Sequence, residues 1–159
     1  HRQPRVRANR FELTHEQTLS ADREVPLDIN ARIVAVAKRN LGNSGMRADL
    51  KQGNVEQLPY EDEYFDTVVN TMAFSGYPDG SGAMSEMRRV LKTGGRLILI
   101  DVNYPADHNW LGMRLTGFWQ RLGDIIRNVS SLLEEHGFDC EDTEIGGFGS
   151  VHMYICQKR

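Results

Sequence analysis

The hydrophobic positions of this chain change period several times, and each change marks an expected element. Ile29, Ile33, Val36 and Ala37 recur at helical spacing, after Leu27-Asp28 and before the stop at Leu41-Gly42-Asn43. Asp28 or Asn30 suits the cap of that helix. Residues 48–52 read as a strand leading into Gly53, and residues 66–72, rich in Val and Thr, as the next. Gly80-Ser81-Gly82 breaks the pattern. A helix is predicted over 83–92, with Met84, Met87, Val90 and Leu91 inward and Thr93-Gly94-Gly95 as its left-handed cap. Residues 96–102 form a continuous apolar strand of the parallel-sheet kind.

Helices are predicted over 110–121 and 124–136, the second with Ile125, Ile126, Val129, Leu132 and Leu133 inward and Gly137 as its stop. Residues 138–145 and 150–157 read as an antiparallel hairpin across Gly146-Gly147-Phe148-Gly149. Strands alternating with helices, closed by a hairpin, predict an α/β fold: a doubly wound, mostly parallel Rossmann-like sheet with an antiparallel end. Ligands of such sheets lie beyond the carboxyl ends of the strands.

Composition narrows the class. A chain of 159 residues fits one domain, with 1–25 as a helical arm and 26–159 as the core. A hydrophobic fraction of 40% with a net charge of -3 gives no electrostatic argument for nucleic acid or anionic membranes. No apolar run is long enough to span a bilayer. Arg2, Arg5, Arg7 and Arg10 read either as a basic arm or as a solvated, frayed terminus, and a capped helix is possible over 11–19. Cys140 and Cys156 fall on adjacent strands of the hairpin, so a bridge is geometrically conceivable. Two reduced thiols in a cytoplasmic protein are the preferred expectation. No Cys/His spacing matches a zinc site, so no metal is expected.

Two stretches carry the chemical signal. Gly53-Asn54-Val55-Glu56-Gln57-Leu58-Pro59-Tyr60 leads into Phe65-Asp66-Thr67-Val68-Val69, and Arg89-Val90-Leu91-Lys92-Thr93-Gly94-Gly95 follows. In this order and spacing they resemble the central and C-terminal part of class I S-adenosylmethionine-dependent methyltransferases. The likeness is to the small-molecule enzymes related to ubiquinone and menaquinone biosynthesis, and it covers about residues 27–158.

The resemblance implies S-adenosylmethionine as cofactor and a small-molecule acceptor. It places the ribose diol on Asp28 and the adenine against Ile29; by itself Asp28 reads equally as a helix cap. Asn54 stands where relatives commonly carry Asp, and its carbonyl oxygen can accept from the adenine amine, though an Asn-initiated turn is the plainer reading. Val55 then meets the ring, and Asn70 and Thr71 end the strand whose backbone meets the amino-acid portion. Many relatives carry His where Ser75 stands here, which excludes a histidine contribution at that position. Tyr104, His108 and Trp110 suit an acceptor wall or a plain surface loop. His152 is a weak candidate base or a structural histidine. No catalytic residue is named, because positioning supplies much of the acceleration of methyl transfer.

The family's glycine-rich loop has no counterpart. Between Val25 and Pro26 there is no room for the strand, loop and helix that carry it, and an omitted segment is expected there. The rival expectation is a catalytically degenerate binding protein on the same fold. An oxidoreductase is disfavoured by the Gly-Asn-Val-Glu-Gln-Leu-Pro loop. A nucleic-acid methyltransferase rests on the arginines alone.

Overall fold

The computed structural model describes residues 27–28, 31–43 and 51–159. The arginine-bearing start, the helix expected over 11–19 and the Val25–Pro26 junction lie outside these residues. The described residues fall in two compact units, one before Gly53 and one from Gly53 to Arg159.

In the first unit, β1 (Leu27–Asp28) and β2 (Lys51–Gln52) pair in parallel, with Leu27 opposite Lys51 and Asp28 opposite Gln52. Helix α1 (Ala31–Asn43) makes the crossover a parallel pair requires. Val36, one of the residues that recur at helical spacing, is 52% exposed.

The second unit holds a four-stranded sheet in the order β3-β4-β6-β5. Strand β3 (Phe65–Thr71) runs parallel to β4 (Leu91–Val102), joined by helix α2 (Gly80–Val90). Helices α3 (Trp110–Leu122) and α4 (Val129–Glu135) precede β5 (Phe138–Gly146) and β6 (Val151–Lys158). Strand β6 adds antiparallel to β4, and β5 adds antiparallel to β6 at the edge. This is the expected α/β sheet with an antiparallel end. Met84, Met87, Val90 and Leu91 are buried as expected, and Met84, Met87 and Leu91 share one core with Leu97, Leu99, Phe138 and Tyr154 of the sheet.

Three boundaries differ from the sequence reading, each for a local reason. Helix α2 starts at Gly80, inside the expected breaker, because Asp79 accepts the Gly82 amide at 2.8 Å and caps the first turn. Strand β4 starts at Leu91, opposite Phe65, and its ladder resumes with Arg96 opposite Thr67. Lys92, expected as the end of the helix, and Thr93-Gly94-Gly95, expected as its cap, therefore form a bulge, with Gly94 at a φ of 72°. The helix expected over 124–136 shortens to α4. The Ile125 amide donates instead to the Ser75 carbonyl at 2.8 Å, a bond that draws the backbone away from helical pairing.

The cysteine expectation is also corrected. Cys140 and Cys156 are register partners of β5 and β6 and are joined as a disulfide. Their Cα atoms are 4.1 Å apart, as close as the non-hydrogen-bonded pairs of an antiparallel ladder come.

Candidate functional site

The carboxyl ends of β3 and β4 lie side by side, with Thr71 opposite Ile100. Just beyond, Met72 takes a left-handed φ of 51° while its amide donates to the Ile100 carbonyl at 2.6 Å. This turns the chain out of the sheet into a tight helical turn, Phe74–Gly76. Three segments converge on that turn: the end of β3, the end of β4, and the stretch between α3 and α4.

Asn70 is the last buried residue of β3, 8% exposed. Its amide nitrogen donates to the Tyr77 hydroxyl at 2.8 Å, and its carbonyl oxygen has no hydrogen-bond partner among the described residues. Thr71 is exposed at the strand end.

Ser75 and Asp101 meet behind this edge. The Ser75 amide donates to Asp101 Oδ2 at 2.7 Å, and the Val102 amide donates to Asp101 Oδ1 at 2.7 Å. Ser75 Oγ lies 2.8 Å from Asp101 Oδ1 and 2.8 Å from Asp124 Oδ1. Arg127 clasps the same turn, donating to the carbonyls of Phe74 at 3.2 Å, of Pro78 at 3.2 Å and of Tyr77. Asp124 carried no signal in the sequence, since its partner is 49 positions away.

The loop after Gly53 is built by its own side chains and by α2. Asn54 Oδ1 accepts the Glu56 amide at 3.0 Å, and the Asn54 carbonyl accepts the Gln57 amide at 3.0 Å, an Asx turn. Val55 packs on the hydrophobic core. Glu86 accepts the Leu58 amide at 2.8 Å. Arg89 donates to Glu86, to the carbonyls of Leu58 and Tyr60, and to Asp62. Its hydrogen bond holds the Glu86 carboxyl below the usual carboxylate range, with help from the Leu58 amide and against some desolvation. The loop motif and the helix motif, read separately in the sequence, are one bonded unit.

The proposed acceptor wall divides. Tyr104 is 39% exposed, and its hydroxyl accepts from Gln120 at 3.0 Å. Trp110 is 67% exposed at the start of α3, with the Arg114 guanidinium 5.8 Å over its ring. His108 is exposed in a left-handed conformation. His152 is buried, with Nδ1 2.8 Å from Asp142 Oδ1 and Nε2 3.1 Å from the Tyr104 carbonyl. Both ring nitrogens are thus engaged by groups of the fold. Of the remaining expected residues, Asp28 ends β1, and Ile29 lies outside the described residues.

The sequence of residues 12–99, more than half of the chain, matches the family described as "Methyltransferase domain". A Ubiquinone/menaquinone biosynthesis C-methyltransferase UbiE of Francisella philomiragia is 36% identical over 80 residues. That stretch is 49% of this chain and 32% of the relative, so the chain matches about a third of that enzyme's length. Among solved structures, the YcgJ protein of Bacillus subtilis superposes with a TM-score of 0.70 at 17% identity, over 85% of this chain and 82% of that one. The [4+2]-cyclase SpnF superposes with a TM-score of 0.69 at 18% identity, over 86% and 66%. The structural likenesses speak for the fold and the sequence match for the family: the chain belongs to the methyltransferase-domain family, the class I fold that uses S-adenosylmethionine as methyl donor.

Proposed function

We propose that this domain transfers a methyl group to a small-molecule acceptor held at the carboxyl edge of its sheet. The observation that carries the reading is the buried amide of Asn70, which keeps one polar atom unpaired at that edge. A ligand with charged amino-acid groups, such as S-adenosylmethionine, fits an edge that offers a spare polar atom and the turned backbone of Thr71 and Met72. When bound, S-adenosylmethionine supplies an electrophilic methyl group that leaves with its bonding pair remaining on sulfur.

In this reading Asp28 takes the ribose hydroxyls and Ile29 lies against the adenine. Asn54 Oδ1 keeps a second lone pair for the adenine amine beside its bond to Glu56. Val55, already seated on the core, gives the ring a fixed apolar floor. Asn70 and Thr71 meet the amino-acid portion. Tyr104 and Trp110 form the exposed aromatic side of the acceptor site. The likeness to a quinone-pathway C-methyltransferase supports a small, aromatic-compatible acceptor.

Calorimetric titration of the full chain with S-adenosylhomocysteine tests the reading. The expected result is binding that is lost in Asp28→Ala and weakened in Asn70→Leu. A well-folded protein that binds none of it would instead be a non-catalytic binding relative of the same fold.

A further inference from the structure

Helix α3 is seated by its small residues. Asn109 caps its start, accepting the Gly112 amide at 2.8 Å and donating to the Phe148 carbonyl at 2.8 Å. Gly112 is buried where a side chain would collide with that carbonyl. Thr116 is buried with its hydroxyl on the Asn103 carbonyl at 3.1 Å. The large residues are left outside: Phe118 is 51% and Leu122 63% exposed, and Trp110 and Leu111 are exposed with them. An ordinary surface helix does the reverse, hiding its large apolar side chains and showing polar ones.

At about 3.6 residues per turn, Leu111, Phe118 and Leu122 fall in one stripe, and Arg114 and Arg121 line its border. Residues 110–123 hold these two arginines and no acid. Among the described residues neither guanidinium is paired with a carboxylate; Arg114 lies over the Trp110 ring, 5.8 Å from its centroid. The acids on either side along the chain are occupied, Asp107 by Asn109 and Asp124 by Ser75.

We propose that this face of α3 docks on an anionic lipid surface. Leu111, Phe118 and Leu122 enter the headgroup region, and the helix lies in the plane of the interface. Arg114 and Arg121 lay their stems along the apolar stripe and carry their planar forks to lipid phosphates. The chain's net charge of -3 does not oppose this, because charges more than about 10 Å away are screened and the face itself is positive. A second copy of α3 is a poor occupant. Antiparallel pairing along the stripe sets Arg114 near Arg121, and parallel pairing sets each arginine beside its twin, with no acid on the helix to relieve them. A protein groove would need acids placed to match both arginines, whereas lipid phosphates move laterally to meet them. The docking is independent of the methyl-transfer reading. Trp110, shared with the acceptor wall, is left intact in its test.

The test is flotation of the full chain at low salt with vesicles of equal parts phosphatidylcholine and phosphatidylglycerol. Protein is expected in the vesicle fraction, and less of it with phosphatidylcholine alone. Phe118→Ser combined with Leu122→Ser should weaken binding by about tenfold or more. Arg114→Gln and Arg121→Gln should each weaken it by about fivefold. All four residues are exposed, so the variants should keep the wild-type circular dichroism; the arginine variants supply the second readout if the serine variant does not.

Failure of the wild type to float would overturn the proposal. Equal binding by wild type and all these variants would also overturn it, and would assign the attraction to other cations such as Arg2, Arg5, Arg7 and Arg10. Sedimentation equilibrium without lipid decides the second copy. An unchanged mass in the serine variant is expected, and a wild-type dimer dispersed by that variant would give the face to self-association instead.

Discussion

The Arg89 guanidinium donates to the Leu58 carbonyl at 3.0 Å, while its partner Glu86 accepts the Leu58 amide at 2.8 Å. Both polar groups of one loop residue are thus gripped by neighbouring side chains of α2. The loop proposed to receive the adenine has its shape set by a helix about thirty positions later in the chain. Its backbone needs no sheet partner of its own at that point.

Replacing Arg89 tests that grip. Arg89→Ala removes charged hydrogen bonds to Glu86, Asp62 and two carbonyls, and should destabilise the protein by about 2 kcal/mol. Arg89→Lys should recover less than half, because an ammonium cannot match the fork geometry. Urea unfolding measures the loss. Faster hydrogen exchange at the Leu58 amide would locate it in the loop, and unchanged exchange would count against the grip.

Acid should loosen the same unit. The folded Glu86 carboxyl is lowered from its usual value of 4.5, first by its hydrogen bond with Arg89. A lowered carboxyl gives stability that is present above its unfolded value and is lost as pH falls through the folded one. Leu58 amide protection should therefore be constant near neutrality and decline below about pH 4.5. In Glu86→Gln that acid decline should be absent.

Tyr154 should set an alkaline limit. Burial pushes its phenol up from 10.0 to about 12, against the lowering effect of the Asn103 hydrogen bond. A raised folded value gives stability that is complete below the unfolded value and is lost as pH climbs through the folded one. The window runs from about pH 10 to about pH 12, and its total is on the order of 2–3 kcal/mol. Ultraviolet titration should show one tyrosine ionising late and together with unfolding. Tyr154→Phe should abolish this late component.

The Cys140–Cys156 bond closes a loop of sequence separation 16. A cross-link of that span restricts the unfolded chain by about 3 kcal/mol. Reduction should lower the thermal midpoint by several degrees without changing the far-ultraviolet spectrum, because the β5–β6 ladder remains. Cys140→Ser should reproduce the reduced protein, and a midpoint indifferent to reductant would show the bond to be absent.

Much of the fold was legible because burial follows period. Met84, Met87 and Val90 recur at helical spacing, and all three are buried. Leu97 and Leu99 alternate along β4 and are buried in the same way. Helix ends were less legible. Asp79 could cap only once Gly80-Ser81-Gly82 was read as helix, and the Ile125 amide left its helix for a carbonyl fifty positions earlier. The residues converging on the Phe74–Gly76 turn were the least legible. Ser75, Asp101, Asp124 and Arg127 come from three separated segments, and no local pattern couples them.

Arg127 has a consequence for where this protein can be cut. It clasps the carbonyls of Phe74, Tyr77 and Pro78, yet it lies beyond residue 99, where the match to the methyltransferase-domain family ends. The stretch with the clearest ancestry is therefore not a self-sufficient piece. A fragment trimmed to it would keep the strand end that turns toward the ligand and lose the brace across that turn. It would also lose β6, which covers the far side of β4. Recognition and cohesion are assigned to different halves of the chain, so divergence in the less familiar half can reshape the familiar one.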